Sequence, residues 1–259
     1  MKDKFKILVP FDFSRTSENA LDYVCSFVKC NEAAEVVLGY VQPSPDIKVK
    51  QEMLTEVLNG FHKKSRNQIS WSFAAGKVKE GMEEIIRTVE PDLIFMGTSS
   101  LTEGRTETRA AVLALEARCP VFIIPKDFRS FKLDRIALMV GTDPIHDRTL
   151  LDGVLMVARS FKATVEVVTV KNGSGQFGYS QTDEANESMI SYYLENFYSH
   201  HTFVEGKDLG NTLFSYVKRN KIDLMAILPR NHAPEEVRSE GALTRFLAEH
   251  TETPLLVID

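Results

Sequence analysis

The 259-residue chain has only three cysteines, Cys25, Cys30 and Cys119, and none of them belongs to a Cys-x-x-Cys pair. So sparse and odd a set excludes a disulfide framework, and reduced thiols packed as small hydrophobes are the expectation. No apolar stretch approaches the ~20 residues that a membrane-crossing helix requires. Met1-Lys2-Asp3-Lys4 leads into a short apolar segment that soon meets Asp12, without the apolar core of a secretory leader, so a cytoplasmic protein is expected. Positive charge is scarce as well: 31 Lys and Arg stand against 36 Asp and Glu, a net charge of −5. That balance disfavours a nucleic-acid surface and a polybasic membrane anchor. There is no Gly-x4-Gly-Lys-Ser/Thr phosphate loop and no Gly-x-Ser-x-Gly nucleophile elbow. The six histidines show no zinc spacing.

What the chain does contain is itself, twice. Phe73-Ala74-Ala75-Gly76-Lys77 is matched by Phe203-Val204-Glu205-Gly206-Lys207. Asp92-Leu93-Ile94-Phe95-Met96 is matched by Asp223-Leu224-Met225-Ala226-Ile227, and Cys119-Pro120-Val121-Phe122-Ile123-Ile124 by Thr253-Pro254-Leu255-Leu256-Val257-Ile258. Lys6-Ile7-Leu8-Val9-Pro10-Phe11-Asp12 likewise corresponds to the segment from Arg135 to Asp143. The offset, about 130 residues throughout, is that of a duplicated domain; solenoid units repeat every ~20–50 residues. The expected domains are 1–127 and 133–259, joined by a short polar linker.

Each half alternates strand and helix signals. Ile7–Val9 reads as a strand, and Ser14 or Ser17 can cap a helix carrying Ala20, Leu21, Val24, Phe27 and Val28 at helical spacing. Val36–Val41 is the next strand. A long polar helix over 49–67 follows, then strand Ile69–Phe73, helix 80–89, strand 92–96, helix 108–116 and strand 120–124. Strands near 135–140, 164–170, 201–204, 223–227 and 254–258 repeat the order. Continuous apolar strands alternating with helices predict a parallel sheet covered on both faces, so each half is expected to be a doubly wound, Rossmann-like α/β domain. Ligands of such sheets bind beyond the carboxyl ends of the strands.

The residues at those ends resemble the universal stress protein family. The resemblance rests on Ile7-Leu8-Val9-Pro10-x-Asp12-Phe13-Ser14-x3-Glu18-Asn19-Ala20-Leu21, on Gly76, on Asp92-Leu93-Ile94-Phe95-Met96-Gly97-Thr98 and on Cys119-Pro120-Val121. It covers nearly the whole chain, twice over. It implies an adenine nucleotide alpha hydrolase-like fold in two tandem copies, paired with each other like the chains of a single-domain dimer, and a role in survival under stress. It further implies ATP or another adenine nucleotide as ligand, although one branch of the family has lost it.

The chemistry suits the residue types. Asp12 can accept hydrogen bonds from an adenine amino group or a ribose hydroxyl, and Val41 can offer backbone groups and an apolar wall. Gly97 lets the backbone approach phosphates, Thr98 is the candidate beside it, and Thr108 can supply a hydroxyl at a helix N-terminus. Asp12 reads equally as a turn residue or helix cap. The family's Gly-x2-Gly-x9-Gly-Ser/Thr pattern is incomplete: Ser100 stands at the second glycine and Glu107 at the third, with Arg105 and Arg109 near enough in sequence to offset the carboxylate. The second half departs further. Leu228-Pro229 replaces Gly97-Thr98, while Asp143, Arg230, His232, Gly241 and Thr244 are its candidates.

Gly173-Ser174-Gly175-Gln176-Phe177-Gly178 fits Gly-x-Gly-x2-Gly but follows the second strand of its unit, so it reads as a connection, not a dinucleotide fingerprint. His200 and His201, adjacent on a strand, point to opposite faces and are unsuited to share a metal. Trp71 and the scattered phenylalanines read as core. No catalytic constellation emerges, so a binding or signalling module is expected. The alternatives are a weak ATPase or adenylyl-transfer enzyme, for which only Glu103 and Glu107 are near the phosphates to hold a metal, or a scaffold for a small anion or lipid. A homodimer and an unidentified protein partner are both compatible with the sequence.

Overall fold

The computed structural model describes residues 5–42, 51–98, 108–141, 143–145, 147–171, 179–206, 208–228 and 241–258. They fall into two compact units. One takes in the described residues of Met1–Ser99 and Ile124–Phe131, the other those of Ser100–Ile123 and Lys132–Asp259. The segment before Ile123 therefore belongs to the first repeat in sequence and to the second unit in space.

The first unit runs β1 (Lys6–Pro10), α1 (Arg15–Phe27), β2 (Glu35–Gln42), α2 (Gln51–His62), β3 (Gln68–Ala75), α3 (Val78–Val89) and β4 (Leu93–Thr98). Its strands lie in the order β3-β2-β1-β4, all parallel. Ile7, Leu8, Val9, Val36, Leu38, Leu93, Ile94 and Phe95 are buried, as continuous apolar strands covered on both faces must be. Ser14 is the cap of α1, its hydroxyl accepting from the Ser17 amide, and Ala20, Leu21, Val24 and Phe27 line the buried face of that helix. The helix expected over 49–67 ends at His62. There Ser65 and Asn67 turn their side chains onto the backbone, Asn67 Nδ2 donating to the carbonyls of Asn31 and Ala34 at 2.8 and 3.0 Å. The linker is less polar in space than in sequence, since Phe128 and Phe131 pack on Tyr23 with ring centroids 6.0 and 4.8 Å away.

The second unit contains α4 (Arg109–Glu116), most of β5 (Val121–Pro125), β6 (Arg135–Val140), α5 (Asp152–Phe161), β7 (Thr164–Lys171), α6 (Gln181–Leu194), β8 (Tyr198–Glu205), α7 (Leu209–Asn220), β9 (Leu224–Ile227), α8 (Ala242–His250) and β10 (Leu255–Val257). The order is β5-β10-β9-β6-β7-β8, parallel except where β10 runs antiparallel to β5. α4 packs on α8. β8 starts three residues before its expected position. A register shift against β7 at Val165/Val167 breaks the alternation that would mark its beginning. Cys25 is buried, but Cys30 is exposed and Cys119 half-buried, so only one thiol packs as a core hydrophobe.

Candidate functional site

In the first unit the carboxyl ends of β2, β1 and β4 lie side by side and carry Val41, Asp12 and the Gly97-Thr98 pair. Asp12 is exposed just past β1. Its Oδ1 accepts from the Ser14 amide at 3.1 Å, and its own amide donates to Ser17 Oγ at 3.4 Å. The carboxylate thus closes an Asx turn between β1 and α1. Between them Phe13 adopts a left-handed backbone, φ 61°, that L side chains seldom take. Its ring stacks on Trp71 at 5.7 Å and meets Tyr40 and Phe11 edge-on.

Val41 is buried against α3, where a methyl group at Gly81 would come within 2.6 Å of Val41 Cγ1. Gly97 has a packing role of its own: a Cβ there would lie 2.3 Å from the Thr16 carbonyl oxygen in the first turn of α1. Thr98 is buried, and its carbonyl accepts from the Lys126 amide at 3.0 Å. Asn19, quoted in the motif that carries the resemblance but given no role there, is buried in α1. Its amide donates to the Pro125 carbonyl at 2.9 Å and its oxygen accepts from Arg129 at 2.8 Å, tying the end of β5 to the helix after Asp12.

Thr108 lies in the second unit. As the cap of α4 its hydroxyl accepts from the Ala111 amide at 3.1 Å, and its own amide donates to Glu249 Oε1 of α8 at 3.2 Å. A carboxylate at this helix N-terminus satisfies an orphan N–H and the helix dipole together. The opposite contact uses other chemistry. Gly241 caps α8 with φ 61°, and a Cβ on it would meet Leu115 Cδ2 of α4 at 2.7 Å. Leu115 and Glu249 are matching positions of the two repeats, each five residues before the corresponding prolines Pro120 and Pro254. Thr244, in the first turn of α8, is buried.

Asp143 is exposed after β6. Its carbonyl accepts from Asn186 Nδ2 at 2.9 Å while the Ile145 amide donates to Asn186 Oδ1 at 2.9 Å, so one buried amide of α6 holds both sides of that turn. Arg230 and His232 lie outside the described residues, as do Glu103, Arg105, Glu107 and the Gly173–Gly178 segment. The structure thus brings Asp12, Val41, Gly97 and Thr98 together in one unit and puts Thr108, Asp143, Gly241 and Thr244 in the other.

Two polar clusters lie off the strand ends. His201 sits between Thr169 Oγ1, 2.7 Å from Nε2, and Glu187 Oε2, 3.2 Å from Nδ1. Tyr179 and Tyr198 also donate to the Glu187 carboxylate. Burial opposes ionisation of Glu187, but the bonds from Tyr179, Tyr198 and His201 prevail and hold it below the usual carboxylate range. The same bond, helped by burial, pushes the Tyr179 phenol up to about 12. A hydroxyl, an imidazole and a carboxylate in series have the order of a nucleophilic relay, yet Thr169 is 1% exposed and out of reach of a substrate. His200 turns to the other face, its Nε2 3.5 Å from the buried Glu166, which also meets Arg135 at 3.4 Å. The two histidines therefore serve separate carboxylates, and no group of three metal-ligating side chains occurs among the described residues. Burial raises the Cys25 thiol to about 11, leaving it protonated and unreactive.

No family model and no curated protein sequence matches the chain. Solved structures do. A universal stress protein from Archaeoglobus fulgidus DSM 4304 superimposes with TM-score 0.70 over 100% of this chain and 99% of its own, at 15% identity. A Pseudomonas aeruginosa UCBPP-PA14 protein assigned to the universal stress proteins matches with TM-score 0.64, at 14% identity, over 98% of this chain and 92% of its own. The cytoplasmic domain of a prokaryotic cation chloride cotransporter matches with TM-score 0.55, at 15% identity, over 98% and 94%. The whole chain therefore has the fold of these universal stress protein structures. No described helix is long and apolar enough to cross a membrane.

Proposed function

We propose that the chain is a tandem universal stress protein of the cytoplasm. Its repeats, 1–127 and 133–259, would pair as a pseudo-dimer, and it would bind or signal rather than catalyse a committed reaction. The observation that carries the reading is the convergence of Asp12, Val41 and Gly97-Thr98 at the carboxyl ends of three adjacent parallel strands. This is where an open α/β sheet takes its ligand. Asp12 supplies the acceptor for an adenine amino group or ribose hydroxyl, and the Val41 backbone the base-facing groups. The pairing of repeats is supported by α4 and β5, which come from the first repeat yet pack on α8 and β10 of the second.

A scaffold reading is favoured by one contact: the amide of Thr108, the sequence's candidate at the N-terminus of α4, already donates to Glu249 within the second unit. Mass analysis of ligand released from the purified protein, with ATP titration, separates the two. Bound adenine nucleotide, or saturation below millimolar ATP that weakens in Asp12→Ala, supports the site. Absence of both rejects it in favour of the scaffold. Phosphate release above a buffer blank with Mg²⁺ present would move the reading to an ATPase.

A further inference from the structure

The two repeats expose their last parallel strands very differently. β8 shifts register against β7, contains His200 and His201, and ends on Glu205, all devices that blunt a sheet edge. β3 has none of them. It reads Gln68-Ile69-Ser70-Trp71-Ser72-Phe73-Ala74-Ala75, eight residues with no charge, proline or glycine, and pairs with β2 in unbroken register. No described strand pairs with its outer side. The Gly76 amide donates to the Gln42 carbonyl on the β2 side. Because polar groups alternate along a strand, the N–H and C=O groups of Ile69, Trp71, Phe73 and Ala75 point to the open edge. Phe73 is 52% exposed although its sequence context reads as core.

The geometry points to β3 as the surface on which a second copy of this chain docks, antiparallel and across a twofold axis. Self-pairing is favoured over an unrelated strand by the register that a twofold allows. Residues directly opposite must share a face, so odd positions meet odd positions. An axis through Trp71 puts Trp71 opposite Trp71, Ile69 opposite Phe73, and Ser70 opposite Ser72. Arg66 then lies across from Gly76 and Lys77 from Ser65, so no like charges meet. Aromatic and β-branched cross-strand pairs are the stabilising kind, and an isologous contact of this sort closes on itself. A strand-only interface is small, so association in the micromolar range is expected. This inference stands apart from the nucleotide reading.

The test uses the full chain in sedimentation or light scattering over a concentration series. Phe73→Pro removes an outward N–H that the fold does not use, and Phe73→Lys places a charge on the edge. The expected result is a dimer whose dissociation constant rises by more than about tenfold in both variants while circular dichroism and melting are retained. Trp71, the only tryptophan, should change its emission with concentration in the parent chain alone, and the Ile69 and Phe73 amides should gain protection from exchange on dimerisation. A monomer at all concentrations, or a dimer that neither substitution weakens, overturns the assignment.

Discussion

Glu249 is the residue whose replacement most directly tests whether the N-terminus of α4 is open to an anion. Its carboxylate accepts the Thr108 amide at 3.2 Å, so an anion arriving at α4 must first displace it. A hydrogen bond to a charged group is worth about 1.5–3 kcal/mol, and half-exposure of Glu249 places it near the lower end. Glu249→Leu, which copies the residue at the matching position of the first repeat, frees the amide and removes the like charge. ATP affinity should then tighten about tenfold, the equivalent of about 1.4 kcal/mol. Glu249→Gln keeps a weaker, neutral acceptor and should tighten it about threefold. Both should lose about 1 kcal/mol of stability, because α4 gives up a favourable charge at its first turn. Calorimetric titration with ATP, paired with urea denaturation, measures both quantities. If wild type binds ATP while neither variant binds more tightly, Glu249 is no competitor. If nothing binds at all, the nucleotide reading itself fails.

Two further predictions concern the scaffold. Gly97→Ala should cost about 3 kcal/mol in urea denaturation, since its methyl group would press on the Thr16 carbonyl. Gly60→Ala, with open space around it on α2, should be neutral or slightly stabilising, and equal effects would refute the packing argument. The Glu187 cluster should give the second unit a two-sided pH response. The lowered carboxylate contributes stability that is present above its unfolded value of 4.5 and lost as pH falls through its folded value. The raised Tyr179 phenol contributes stability present below 10 and lost as pH climbs toward about 12. Glu187→Gln should flatten both limbs in pH-dependent melts, and unchanged limbs would show that the cluster does not set them.

The strands were legible because their apolar runs are continuous and buried on both faces, as at Leu8, Val36 and Ile94. The Ser14 cap was legible because capping is local chemistry, settled within one turn of chain. The contacts of Asn186 with the Asp143 turn and of Glu249 with Thr108 depend on elements far apart in sequence, and no window of residues contains both partners. A signal for the second did exist. Aligning the repeats sets a carboxylate at 249 against leucine at 115, a mismatch that local patterning does not explain. Phe73 misled because an aromatic on a strand is ordinarily packed, and only the sheet order puts β3 at an edge.

The contrast between Leu115 on Gly241 and Glu249 on Thr108 has a genetic consequence. In an assembly of two identical polypeptides, one codon specifies both copies of a position, so any change at one helix terminus is imposed on the other. Fusing the copies into a single reading frame separates those codons. One position can keep an apolar contact that fits only glycine while the other acquires a charge, and selection can act on each without disturbing its counterpart.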